Sequence, residues 1–215
     1  MSGHVGPLSA LTCALLVASC ASPTFLAPGR APAAELADEG VEELRDHFTR
    51  TVVPPDLDIR WAELTLADPT WIDAAEEELA RLANLPAAHG RARAAARLAA
   101  LGHPASIGFE AWLFTDCQSC ATLSRWRWTL TGPSPGQAAR GPSHIASRVL
   151  QEEQQTLTVL DAARVVTLYK VQGELIFPGA LGPGTLQLEG SPGPGFDPLR
   201  FVWELRRGSP GRPRS

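Results

Sequence analysis

Near Ile107 the hydrophobic pattern of this 215-residue chain changes period, and that change constrains the fold more than any motif does. Before it, apolar residues recur every three or four positions; after it, they alternate. An amphipathic helix buries one stripe with a period near 3.6, whereas a half-buried strand buries every second residue. The expectation is therefore an α+β fold: N-terminal helices followed by a mainly antiparallel β-sheet.

In the first half, Ala37, Val41, Leu44, Phe48 and Val52 predict a helix over Glu35 to Val52, ended by Pro54-Pro55. Leu57 to Leu66 fits both a bulged strand and a short helix, because Leu57, Ile59 and Trp61 alternate while Leu64 and Leu66 fall on the other parity. The next helix is clearly marked. Asp68 can cap it, Pro69 suits its first position, and Trp71, Ala75, Leu79 and Leu82 form an apolar stripe. Its Glu76-Glu77-Glu78 run reads as a solvated face. Gly90 to Leu101, with Arg91, Arg93 and Arg97, predicts a basic third helix able to lie against the acidic one.

In the second half, Ile107 to Thr115 is apolar on both faces, which places it centrally in a sheet. Ser124 to Thr131 alternates, with Trp126, Trp128 and Leu130 inward. A Gly/Pro loop follows over residues 132–142. Ser143 to Gln155 fits a short helix or a long polar strand arm. Segments 156–160, 164–172, 174–177, 185–189 and 199–206 complete an antiparallel meander, with Phe201, Trp203 and Leu205 on one face. The organisation expected is a leader (1–19), a Pro/Ala-rich tether (20–34), one α+β domain (35–206, helical over 35–102 and strand-rich over 107–206) and a disordered basic tail (207–215).

The leader carries its own message. Leu8 to Ser19 contains no charge and runs into Val17-Ala18-Ser19-Cys20. These twelve residues are fewer than the ~20 a spanning helix needs. The stretch resembles the signal of bacterial lipoproteins, an apolar core and small residues before the cysteine that becomes the first residue of the mature chain. The resemblance covers the leader alone. It implies loss of residues 1–19, diacylglycerol on Cys20 with a further fatty acyl chain such as palmitate, and a membrane as partner through that anchor. Two or three chains hold stably where one would not. Ala21 after the cysteine, in place of Asp, implies the outer membrane or the periplasmic face of a membrane. Ordinary cleavage after Ala21 is one alternative and gives an unanchored exported protein; an uncleaved, buried N-terminal helix is another, disfavoured by Pro7 and the Pro-rich stretch after Cys20.

The net charge of −4 is too mild to argue for nucleic acid or anionic lipid as a partner. The charge is uneven, with fourteen acids against four arginines from Glu35 to Ala83, and nine acids against fourteen bases from Asn84 onward.

Of four cysteines, Cys13 leaves with the signal and Cys20 is acylated, so Cys117 and Cys120 remain. In an exported chain such a pair should oxidise. Three uses share the C-x-x-C pattern. A structural disulfide would pin a turn between two strands and contribute roughly 2 kcal/mol for so short a loop. A thiol–disulfide exchange site needs a helix after the first cysteine, whereas Ser124 to Thr131 reads as strand. A zinc ribbon needs a second cysteine pair, which is absent, although His103 and His144 could be recruited in space. No metal, cofactor or catalytic residue is expected, since no nucleophile-elbow, zincin, phosphate-loop or EF-hand pattern occurs.

The functional expectation is a membrane-anchored envelope lipoprotein acting as a non-catalytic binding or assembly module, its partner an envelope protein. The alternative is an envelope thiol–disulfide oxidoreductase with Cys117 as nucleophile and Cys120 as resolving thiol. If a carbohydrate or peptide were bound, Trp126 and Trp128 would be the first ligand-facing aromatics to consider, although core packing is the simpler reading of both.

Overall fold

The computed structural model describes residues 26–28, 40–54, 59–132, 143–145, 148–161 and 164–207. The leader, Cys20, most of the tether, the loop at 133–142 and the tail from 208 lie outside them, as does the start of the first expected helix.

The chain forms a mixed α+β structure in three layers. Among the described residues, two five-stranded antiparallel sheets pack face to face, and three helices cover part of the outer face of one of them. The first sheet has the order β1 (Leu26–Pro28), β10 (Leu199–Arg207), β9 (Gly184–Ser191), β5 (Arg127–Thr131), β6 (Ser143–Ile145). The second has the order β2 (Thr49–Val52), β3 (Ile59–Leu66), β4 (Ser106–Thr115), β8 (Arg164–Pro178), β7 (Arg148–Asp161).

The expected order of helices first and strands second is corrected. The helices are α1 (Val41–Phe48), α2 (Pro69–Leu82) and α3 (Ala87–Ala100), and β2 and β3 fall between α1 and α2. The helix expected over 35–52 stops at Phe48. Thr49, Thr51 and Val52 are β-branched, and they pair with β3 instead of extending the helix. Leu57 to Leu66 resolves as a strand from Ile59, with the register shift of a bulge between Ile59 and Trp61. The described residues of the Ser143 to Gln155 segment are strand, Ser143–Ile145 in β6 and the rest, from Arg148, in the long arm of β7. The single meander is also corrected. β7–β8 and β9–β10 are sequential hairpins, but they belong to opposite sheets. Leu26–Pro28, expected to be tether, pairs with Leu205–Arg207 as β1.

β4 is the central strand of the second sheet, flanked by β3 and β8. Its odd residues Phe109, Ala111 and Leu113 face the first sheet, where Phe109 meets Trp203 of β10 at 5.3 Å between ring centroids. That seam is the core, shared by Leu64, Leu66, Val171, Leu175 and Phe177 on one side and Trp128, Leu130, Leu186, Leu188, Phe201 and Leu205 on the other.

The even residues of β4 face outward, and there the helices matter. The end of α3 settles on Gly108, where a Cβ would lie 3.2 Å from Leu101 and 3.3 Å from Ala67. Asp68 caps α2 by accepting from the Thr70 amide at 2.8 Å, with Pro69 at the first helical position. The stripe that α2 buries is Trp71, Ile72, Glu76 and Ala80; Leu79 and Leu82 of the expected stripe are 47% and 64% exposed. The stripe is rotated because α3 packs beside α2 and claims the Glu76 side. The two helices cross at Gly90, close enough that a Cβ there would meet the Glu76 carbonyl at 2.8 Å.

Candidate functional site

The covering by helices is incomplete. Between α3 and the outer face of the second sheet lies a cavity of about 470 Å³. Glu76 reaches it from α2, Arg93 and Arg97 from α3, Glu110 and Trp112 from β4, and Gln172 and Glu174 from β8. Strand register puts the last four together: Glu110 pairs with Glu174 and Trp112 with Gln172 across the β4–β8 ladder.

The electrostatics centre on Arg97. Its guanidinium contacts Glu110, lies 3.6 Å from Glu76 Oε1 and sits over the Trp71 ring at 5.2 Å from the centroid. Glu76 is the correction to the solvated acidic run, for its side chain is only 7% exposed. A carboxylate taken out of water needs compensating charge, and the basic face of α3 supplies it. Arg93 Nε comes within 2.9 Å of Glu76 Oε2, a contact of opposite charges without hydrogen-bond alignment, so that oxygen has no hydrogen-bond partner among the described residues. Arg91 adds a longer pair to Glu77 at 3.8 Å. The expected packing of the basic helix on the acidic one is what the structure shows.

Glu174 differs from its neighbours. Its carboxyl group makes no hydrogen bond or ion pair at contact distance among the described residues, and burial raises its pKa, opposed in part by Arg97. The exposed side-chain carboxamide of Gln172 beside it has no hydrogen-bond partner among the described residues either. The ammonium of Lys170 stands 4.4 Å from the centre of the Trp112 ring. Farther along the same face Trp61 and Phe114 meet edge to face at 5.2 Å. The cavity thus presents hydrogen-bond acceptors, donors and an aromatic ring within the size range of small-ligand sites.

The residues singled out in the sequence fall elsewhere. Trp126 and Trp128 are corrected as ligand-facing candidates, since they are 6% and 3% exposed and stack on each other at 5.1 Å. Their indole N–H groups donate to the carbonyls of Cys120 and Leu123. They fill the core side of the crossover from β4 to β5. Cys117 and Cys120 are disulfide-bonded in that crossover, with Cα atoms 5.2 Å apart. Cys120 is buried; Cys117 is partly exposed, and its Sγ accepts from the Cys120 amide at 3.2 Å. The pair sits in a single 3₁₀ turn, Gln118–Cys120, followed by another at Leu123–Arg125 and then β5. Glu152 of β7 accepts from the amides of Leu123 and Ser124 at 2.8 and 3.1 Å and ties the crossover to the second sheet. Cys20 lies outside the described residues.

The groove residues were missed because the outward parity of β4 was read only as a sign of central position. The signal was present, however. Glu110-x-Trp112-x-Phe114 and Gln172-x-Glu174 put polar and aromatic groups on the face that a buried strand would fill with aliphatics.

Among the described residues no group of three or more His, Cys, Asp or Glu is placed to hold a metal ion, and no helix is long and apolar enough to cross a membrane. No protein-family model, curated protein or solved structure matches the chain.

Proposed function

We propose that the protein is an envelope lipoprotein anchored through Cys20, and that its domain is a non-catalytic binding module whose ligand enters the groove between α3 and the second sheet. The observation that carries the binding reading is Glu174: a partly buried carboxylate without a contact partner, in a cavity that also offers Trp112, Gln172 and Arg93. A half-buried carboxylate that Arg97 offsets only in part costs stability, and a ligand donor would offset the remainder. The anchor rests on the Leu8 to Cys20 pattern, and an oxidised Cys117–Cys120 pair accords with an exported chain.

The alternative, thiol–disulfide exchange, would use Cys117, the more exposed sulfur. What supports a staple instead is the conformation after the pair. A three-residue 3₁₀ turn leading into strand lacks the aligned peptide dipoles that depress a nucleophilic thiol.

Two assays test the proposal. Cells fed labelled palmitate should label the wild-type chain, and Cys20→Ser should abolish the label. In an insulin-reduction assay the protein should match the blank. Catalysis that disappears in Cys117→Ser would reject the binding-module reading in favour of the oxidoreductase.

A further inference from the structure

The groove's chemistry narrows its ligand, and the argument rests on the binding reading above. Of its charged groups three are glutamates and two are arginines, and they are not equally free. Arg97 is committed to Glu76, Glu110 and the Trp71 ring. Arg93 is half-exposed, with only its Nε engaged at Glu76. Glu174 and Gln172 face the cavity without contact partners. The free functionality is therefore one carboxylate, one carboxamide and the outer end of one guanidinium, beside the ring of Trp112.

An anionic ligand would meet an excess of carboxylate, with the central arginine already neutralised. A compact cation would find its charge compensated by Glu174 alone and would compete with Lys170 for the Trp112 ring. A neutral polyhydroxylated ring uses what is present. Adjacent hydroxyls donate to the two oxygens of Glu174 and accept from Gln172 and Arg93, and the apolar C–H face of the ring covers Trp112. Nothing ionic need be desolvated on the ligand side, and the cavity of about 470 Å³ accommodates one sugar unit with its neighbours projecting along the open face.

We propose that the groove between α3 and the second sheet is a carbohydrate-binding site for neutral glycans, with Glu174, Gln172 and Arg93 reading hydroxyls and Trp112 stacking on a sugar ring. Trp61 and Phe114, farther along the same face, extend the aromatic strip that a longer glycan would follow.

The test uses the full chain in saturation-transfer NMR and calorimetry with cellotriose, chitotriose and maltotriose. Spermidine and arginine methyl ester serve as cationic probes. At least one trisaccharide should bind, and Glu174→Gln and Trp112→Ala should each weaken it by about tenfold or more, the scale of a lost hydrogen bond to a charged group for the first and of lost ring stacking for the second. Gln172→Ala, at an exposed position, gives a weaker effect and guards against misfolding of the other two. Binding of the cations but no trisaccharide, abolished by Glu174→Gln, would overturn the glycan assignment and leave the groove a binding site. Failure of every probe would overturn both the assignment and the binding reading beneath it. Trisaccharide binding unaffected by any of the three variants would place the sugar elsewhere and overturn the site.

Discussion

The indole N–H of Trp203 donates to the carbonyl of Phe48 at 2.8 Å across 155 residues of chain. Both residues are fully buried, one in β10 of the first sheet and one where α1 hands over to β2 of the second. The bond therefore stitches the two sheets at the edge where the helical layer begins. Trp203→Phe keeps an aromatic ring and removes the donor, leaving a buried carbonyl unsatisfied. The expected cost is about 1–3 kcal/mol, read as a lower urea midpoint at unchanged slope. An unchanged midpoint would show that the seam does not depend on this bond.

Gly90 sets the distance between α2 and α3. Gly90→Ala would gain about 1 kcal/mol of helix propensity, but the new methyl would press on backbone atoms of Glu76 and Glu77, both 2.8 Å away. Overpacking against backbone costs about 1–3 kcal/mol, so net destabilisation is expected. Because α3 carries Arg93 and Arg97, the same variant should weaken any ligand held in the groove. Thermal melting checks the first effect. A more stable variant would contradict the close crossing.

Burial raises the pKa of Asp68 to about 6 from 3.8, against the opposing hydrogen bond from Thr70. With the folded pKa above the unfolded one, the proton binds the native state more tightly. The stability linked to that proton is complete below pH 3.8 and is lost as pH rises through about 6. The displacement corresponds to about 3 kcal/mol at most. Asp68→Asn keeps a capping acceptor without the charge. It should therefore stabilise the protein at pH 8 and have little effect near pH 4. Denaturation at both pH values decides, and an equal effect at both would refute the buried carboxylate.

Replacing both Cys117 and Cys120 by Ser should lower stability by about 2 kcal/mol, and reductant should lower the wild type by a similar amount while leaving the variant unchanged. The loop is short, but Cys120 is buried and the Trp126 indole bonds to its carbonyl, so the crossover itself should loosen. Amide exchange at residues 121–126 is the readout that locates the change.

Much of the architecture was legible in local pattern. The Asp68-Pro69 start of α2, the central place of β4 and the inward set Phe201, Trp203 and Leu205 all follow from rules acting within a few residues. What was not legible depended on long-range partners. Thr49 to Val52 continues a helical spacing, and only the presence of β3 makes it a strand. Leu79 and Leu82 look like core until α3 takes the neighbouring side of α2. Glu76 looks solvated until Arg93 and Arg97 arrive beside it. The assignment of hairpins to two different sheets leaves no local trace, since each hairpin alternates in the same way. The candidate site belongs to this second class. Trp126 and Trp128 stood out because they are close in sequence, whereas the groove gathers residues from four elements, and only register brings Trp112 to Gln172 and Glu110 to Glu174.

The most direct test of an anchored, disulfide-stapled module is the intact mass of the protein extracted from its native membrane, alkylated with and without prior reduction. The account predicts a chain beginning at Cys20 with two or three acyl groups, whose Cys117 and Cys120 take up alkylating reagent only after reduction. A chain without acyl groups, with both thiols reactive before reduction, would contradict it.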